Sequence, residues 1–336
     1  MTLFFSGFDT LSDSSPLQEQ TQLQLNTPAG VSLVAGRAYG KALEFAPDSF
    51  ATLLPIDGAA NSVWGVYAGF AVKYSGAGDG QNLVFACVFA PPAGADLPTL
   101  LAHSDKVALH IEDGALVLSG KTLESRVIST LPADKWVYVE VRLLRDVHNT
   151  SLLRVYVNGL KYVEVTPFAS TDQSTLEVVT AAPGAGMTMI LDDLYVEYGH
   201  TDTPTVPVLG SAKIAPLPLT QTISNSFDVT GTTAHDALSD NNDSTYISSD
   251  VSAEATFAIS QEVGEVFGLN LTLRGASPSG AGAVRVALQH GETTGDEYAL
   301  GLSEDIQSHT VNSVDKPGTG SWGELLRDGM NIKVIS

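Results

Sequence analysis

The stretch MILDDLYVEYG, residues 189–199, sets two adjacent carboxylates, Asp192 and Asp193, into an otherwise apolar run, with Glu197 four residues after Asp193. Three kinds of chemistry use such a set. Two carboxylates aimed at one glycosidic bond can hydrolyse it. Carboxylates can join about six to eight oxygens around a hard cation such as Ca²⁺. A buried carboxylate can also accept several backbone N–H bonds and tie distant segments together with no reaction at all. On a regular strand Asp193, Tyr195 and Glu197 share one face, and Asp192, Leu194 and Val196 share the other. The position between the two acids is then a phenol, and the surrounding sequence supplies no aromatic cluster to line a sugar cleft. The structural pin is the expected role, with no catalytic residues.

A second oxygen-rich stretch, LSDNNDSTY at 238–246, offers Asp240, Asn241, Asn242 and Asp243. It lacks the central glycine and the distal glutamate of an EF-hand loop, and an Asx-rich turn accounts for it. Asp240, Asp243, Asp192 and Asp193 are thus the calcium candidates, and the expectation is no metal and no cofactor. The seven histidines, among them His103, His110, His148 and His290, show no ligand spacing. There is no Gly-x-Ser-x-Gly and no phosphate-binding loop, and the glycine-rich GAGDGQ at 76–81 precedes no helix. Cys87, the single cysteine, sits in LVFACVF and reads as a small buried hydrophobe. Trp322, in GTGSWGELL, is the one tryptophan in a loop-like setting. It is the candidate to anchor a neighbouring subunit, with capping of its own domain as the alternative.

The elements that would carry these residues are strands. WGVYAGFAVKY, residues 64–74, places Trp64, Val66, Ala68, Phe70, Val72 and Tyr74 on one face at period two. NLVFACVF at 82–89 is continuously apolar, as in a strand covered on both faces. VALHIEDGALVLSG folds around Asp113-Gly114, and LLRVYVNGLKYVEV around Asn158-Gly159, two-residue turns that need positive φ. WVYVEVRLL buries Val137, Val139, Val141 and Leu143 and turns Glu140 and Arg142 outward. About eight strands without a good helix between them predict an antiparallel sandwich, and the late MILDDLYVEYG strand must pair with early ones, as in a jelly roll. Four prolines between 204 and 218 predict a domain boundary near residue 203. Beyond it, runs at 255–260, 266–275, 283–290 and 329–336 predict a smaller β-sandwich.

The 336 residues carry a net charge of −21. Residues 201–336 hold 17 acids and 6 bases, a balance of −11, which leaves −10 for residues 1–200, so both halves are acidic. Such a chain repels phosphate backbones, and no nucleic-acid partner is expected. No apolar run reaches bilayer length, so no membrane segment is expected. The N-terminal MTLFFSGFDTLSD has no basic region before its short apolar run, so no signal peptide is expected.

The order of YGKALEF, DGALVLSG, KWVYVEVRLL, LRVYVNGLKYVEV and ILDDLYV resembles the laminin-G-like, concanavalin A-like jelly roll of tailed-bacteriophage virion proteins. In that likeness Gly7, Phe8 and Asp9 open the domain, a strand starts at Trp136, Val157-Asn158-Gly159 turns a hairpin, and Asp192 to Val196 lie on the last strand. LGSAKIAPLPLT, DNNDSTYISSD and PGTGSWGELLRDGMNIKV resemble the short β domain that follows it. The resemblance implies an all-β chain, with a jelly roll over residues 1–203 and a small β-sandwich over 204–336. It implies a structural component of a virion, on tail, neck or capsid surface, made in a bacterial cytoplasm. Such a protein works through contacts with other virion proteins and with its own copies. A carbohydrate-binding module that holds a host surface glycan is the alternative. Glycan hydrolysis ranks last, because glucanases of this general fold use a Glu-x-Asp-x-Glu strand, where this chain has Asp193, Tyr195 and Glu197.

Overall fold

The structure is a computed structural model. It describes residues 2–6, 8, 11, 17, 24–26, 28–37, 40–57, 64–77, 82–89, 92, 95–120, 123–145, 151–166, 175–199, 214, 217–239, 242–259, 266, 268–311 and 314–336. The chain divides into two compact units, Met1–Ala215 and Pro216–Ser336. The junction expected near residue 203 falls outside the described residues.

The first unit is built from β1 (Thr2–Ser6), β2 (Gln24–Asn26), β3 (Val31–Ala35), β4 (Lys41–Phe45), β5 (Phe50–Asp57), β6 (Trp64–Ser75), β7 (Asn82–Phe89), β8 (Lys106–Glu112), β9 (Ala115–Gly120), β10 (Leu123–Thr130), β11 (Val137–Arg145), β12 (Ser151–Val157), β13 (Leu160–Val165), β14 (Thr175–Ala182) and β15 (Thr188–Gly199). Eight form a sheet in the order β13-β12-β11-β6-β15-β4-β3, with β1 also on β15, and seven form a second sheet in the order β10-β9-β8-β7-β14-β5-β2. The chain passes from one sheet to the other at β1 to β2, β2 to β3, β4 to β5, β5 to β6, β6 to β7, β10 to β11, β13 to β14 and β14 to β15, the winding of a jelly roll. The sequence shows only about half of these strands. Of the rest, β1 to β4 are three to five residues long, and β10 buries Ile128 alone.

Between the sheets lies one apolar core. It takes Val66, Ala68, Phe70, Val72 and Tyr74 from β6 and Val137, Val139, Val141 and Leu143 from β11, the alternation the sequence predicts. Phe70 and Phe85 stack across it, ring centroids 5.7 Å apart. All of β7 is buried. Its Val84, Phe85, Cys87 and Phe89 enter the central core, while Leu83, Ala86 and Val88 join a second cluster with Phe50 and Leu100, the latter on the short helix Leu97–Ala102. Burial pushes the Cys87 thiol well above its ordinary range, which leaves it inert. The two hairpin turns form as expected, with Asp113 at φ +46° and Gly114 at +74°, and Asn158 at +49° and Gly159 at +80°.

In the second unit the main sheet runs Leu219–Asn225, Glu254–Ile259, Met330–Ile335, Ala283–His290 and Thr293–Thr294, with Tyr298–Gly301 also on Ala283–His290. Two-stranded ribbons pair Asp228–Thr230 with Tyr246–Ser248, and Leu271–Gly275 with Gln307–Val311. A helix the sequence analysis does not predict, Trp322–Arg327, starts at Ser321. The Ser321 hydroxyl accepts from Glu324 N–H and the Glu324 carboxylate accepts from Ser321 N–H, a capping box legible as Ser-x-x-Glu. Trp322 is 8% exposed and packs in its own unit's core with Leu288, Val314, Leu325, Leu326 and Met330. The ring thus packs within its own unit, the arrangement given as the alternative to anchoring a neighbouring subunit. No helix among the described residues is long and apolar enough to cross a membrane.

Candidate functional site

The acidic strand departs from regular alternation. On β15 Asp192 lies opposite Ala71 of β6 and Tyr195 opposite Gly69, so one residue is extra and the register shifts between them. Asp193 is that residue, with φ +49°. The bulge puts Leu191 and Leu194 both in the core and turns Asp192, Tyr195 and Glu197 to the outer face with Ala71, Gly69 and Tyr67. The expectation that Asp192 shares a face with Leu194 and Val196 is thus corrected: an aspartate, which tolerates positive φ, absorbs the shift.

Both aspartates are 3% exposed. Asp192 accepts from Arg37 N–H at 2.7 Å and from Asp193 N–H at 2.8 Å. Asp193 takes the Arg37 guanidinium two-pronged, from Nε at 2.8 Å and the terminal nitrogen at 2.7 Å, and its other oxygen accepts from Ile214 N–H at 2.6 Å. This pins the loop before β4 and the chain's exit from the jelly roll to the last strand. A guanidinium already occupies the place a cation would take. In the second unit Asp243 is likewise held by Arg274, at 2.7 and 2.8 Å, and Asp240 lies outside the described residues. Among the described residues no three His, Cys, Asp or Glu side chains gather as metal ligands. His103 and His110 make local contacts, with the Asp105 backbone and the Glu112 carboxylate, and His148 lies outside the described residues.

The outer face of the eight-stranded sheet holds a larger constellation. Register aligns two rows across it. One runs Tyr195, Gly69, Glu140, Tyr156, Lys161; the next runs Glu197, Tyr67, Arg142, Arg154, Glu164. The central strand supplies small residues, Gly65, Gly69 and Ala71, and the flanking side chains lie over it. A Cβ at Gly69 would overlap Cε1 of Tyr195, and one at Gly65 would come within 2.7 Å of Cε2 of Tyr67. Over that cleared strand Tyr195 reaches Glu140, donating to Oε1 at 2.8 Å. Arg142 stands between two rings, 5.4 Å from the centre of Tyr67 and 5.9 Å from that of Tyr156. At the sheet edge Lys161 and Arg154 both donate to Oε2 of Glu164 at 2.8 Å and hold its carboxyl below the ordinary range.

Burial grades across these rows. Glu140 is 1% exposed and Glu197 fully buried. Glu140 and Arg142 do point outward as the sequence predicts, but Glu140 meets no water. Tyr195 and Tyr138 are buried too, and burial first, then the Glu140 charge, raises both phenols far above the ordinary range. Arg142 and Tyr156 are half-buried. The register of β12 with β13 shifts between Val155–Val163 and Tyr156–Lys161, so Tyr162 is an extra residue on the edge strand, and it is 49% exposed. The sequence signals for this face are the glycines at 65 and 69 opposite an apolar face, and the break from period two among Leu160, Val163 and Val165.

The buried end of the face is closed to solvent, and the open end offers ring faces beside planar donors and a carboxylate acceptor. That combination suits a polyhydroxylated ligand, whose C–H faces stack on rings while its hydroxyls take paired hydrogen bonds.

No protein-family model matches the chain, and no curated protein matches it in sequence. Solved structures with a similar chain trace include the cellulose induced protein Cip1 (14% identity over 59% of this chain and 97% of that one, TM-score 0.39). Another is a carbohydrate esterase from the Shiga toxin-encoding bacteriophage phi24B (15%, 57% and 98%, TM-score 0.37). A third is domain 4 of the extracellular arabinanase AbnA from Geobacillus stearothermophilus, in complex with arabinotriose (14%, 58% and 93%, TM-score 0.38).

Proposed function

We propose that the jelly-roll unit is a carbohydrate-binding module that holds glycan on the outer face of its eight-stranded sheet and performs no reaction on it. The observation that carries this reading is Arg142 set between the rings of Tyr67 and Tyr156, with Arg154, Glu164 and Tyr162 toward the open edge. The non-catalytic half rests on where the carboxylates are spent. Asp193 is saturated by Arg37 and Ile214, and Glu197 is fully buried. Glycoside hydrolysis needs two carboxyl groups that reach one bond and one water. The raised phenol of Tyr195 is protonated at neutral pH and serves no better as a base.

On this reading the chain is a virion component, as its resemblance to phage proteins implies. It is carried in several copies, and the module meets a host surface glycan. Glycan-array binding by the purified protein tests the proposal. Wild type is expected to bind, and Tyr156→Ala to lose roughly tenfold or more in affinity with its melting temperature little changed. Absence of binding to any glycan overturns the reading. New reducing ends released from a polysaccharide, and lost in Glu197→Gln, would overturn its non-catalytic half.

A further inference from the structure

We infer that the ligand of this face is an uncharged glycan, lying across β12 and β13 with a sugar ring on Tyr156 and Tyr162. The inference rests on the carbohydrate-binding reading and specifies its substrate class.

The charge arrangement of the two rows carries it. They contain three cations, Arg142, Arg154 and Lys161, and three carboxylates, Glu140, Glu164 and Glu197. Arg142 and Arg154 are direct cross-strand partners, a pairing that like charges disfavour unless each has its own counter-charge. The carboxylates of the two rows supply them. Arg154 and Lys161 share the Glu164 carboxylate. Arg142 lies in the row that ends at the buried Glu197, and Glu140 is two residues before it on the same face of the same strand. The face therefore has no surplus cation for a uronate or sulfate. Bringing an anion beside Arg154 would have to displace Glu164, which gains nothing in net charge. Beyond about 8 Å the remaining charge is screened at physiological salt, so this local balance decides. At low salt the net −21 of the chain adds repulsion toward a polyanion.

A neutral sugar meets none of these penalties. Guanidinium and ammonium groups that are neutralised by carboxylates keep N–H bonds directed outward, and a carboxylate held by two cations keeps lone pairs for a hydroxyl. Tyr162, placed outward by the edge-strand bulge, adds a ring that no fold requirement explains.

The experiment measures binding of the full chain to two panels, neutral (glucan, galactan, arabinan) and uronate-containing (alginate, hyaluronate), at low and at high sodium chloride. The expected result is binding to a neutral polymer with an affinity that does not change with salt. Tyr162→Ala, at an exposed position that folding tolerates, is expected to weaken it roughly 3- to 10-fold. Tighter binding to a uronate polymer, falling as salt rises, overturns the inference and leaves the carbohydrate-binding reading intact. Binding to neither panel overturns both. A neutral polymer bound with no effect of Tyr162→Ala or Tyr156→Ala places the site elsewhere and overturns the inference.

Discussion

Tyr138 on β11 and Tyr195 on β15 are two buried tyrosines on the same face with β6 between them, and their hydroxyls have opposite fates. Tyr195 donates to Glu140, whereas the Tyr138 hydroxyl is buried with no hydrogen-bond partner among the described residues, under the Arg37 guanidinium that lies 5.3 Å from its ring centre. Tyr195→Phe should cost about 1–3 kcal/mol, because Glu140 stays buried with one donor fewer. Tyr138→Phe removes a polar atom that already lacks a partner and should be neutral or stabilising. Denaturant melts of the two variants decide it, and equal losses would refute the assignment. The same pair sets an alkaline limit. Both phenols are raised above their unfolded value of about 10, so the folded state holds their protons more tightly. Their contribution is complete below that unfolded value and is lost as pH rises through the folded one. Ultraviolet titration of the ten tyrosines should therefore show at least two that ionise only as circular dichroism reports unfolding. Ionisation of all ten with the fold intact would contradict this.

At the scale of strands, β6 does two jobs with its two faces. The inner face fills the core, and the outer face is kept low so that neighbouring tyrosines can lie across it. Gly69→Ala should cost about 1–3 kcal/mol through overpacking and should also free Tyr195 from Glu140, a combination that thermal melts and glycan affinity together can detect. An unchanged protein would mean the ring has room to move. Gly159→Val, at φ +80° in the Asn158-Gly159 turn, should cost about 1 kcal/mol or more, and an unaltered melting temperature would contradict the turn. The inner face, the two turns and the fully buried β7 are legible in the sequence, because period two and Asn-Gly or Asp-Gly pairs are local signals. The outer face is less so. Glu140 and Arg142 read as a solvated surface, since nothing local tells a charged residue that faces water from one that is covered. The bulge at Asp193 hides for a related reason: adjacent aspartates look the same whether they alternate or share a shift, and only the paired strand reveals which.

For the molecule as a whole, the hydrogen bond from Ile214 N–H to Asp193 sets where the jelly roll ends. A fragment of residues 1–215 should be more stable than one of residues 1–203 by about 1.5–3 kcal/mol, the worth of a hydrogen bond to a charged group. Equal stability of the two fragments would place the end of the unit near 203, where the prolines begin. The edges of the jelly roll carry a different consequence. Of its outermost strands, β13 is shifted at Tyr162, and β10 is shifted twice, between Leu123 and Arg126 and between Val127 and Ser129. A strand bent in this way offers a broken ladder of N–H and C=O groups, and a second copy cannot zip onto it. At these two edges, copies held side by side at high local concentration would therefore not fuse into a continuous sheet.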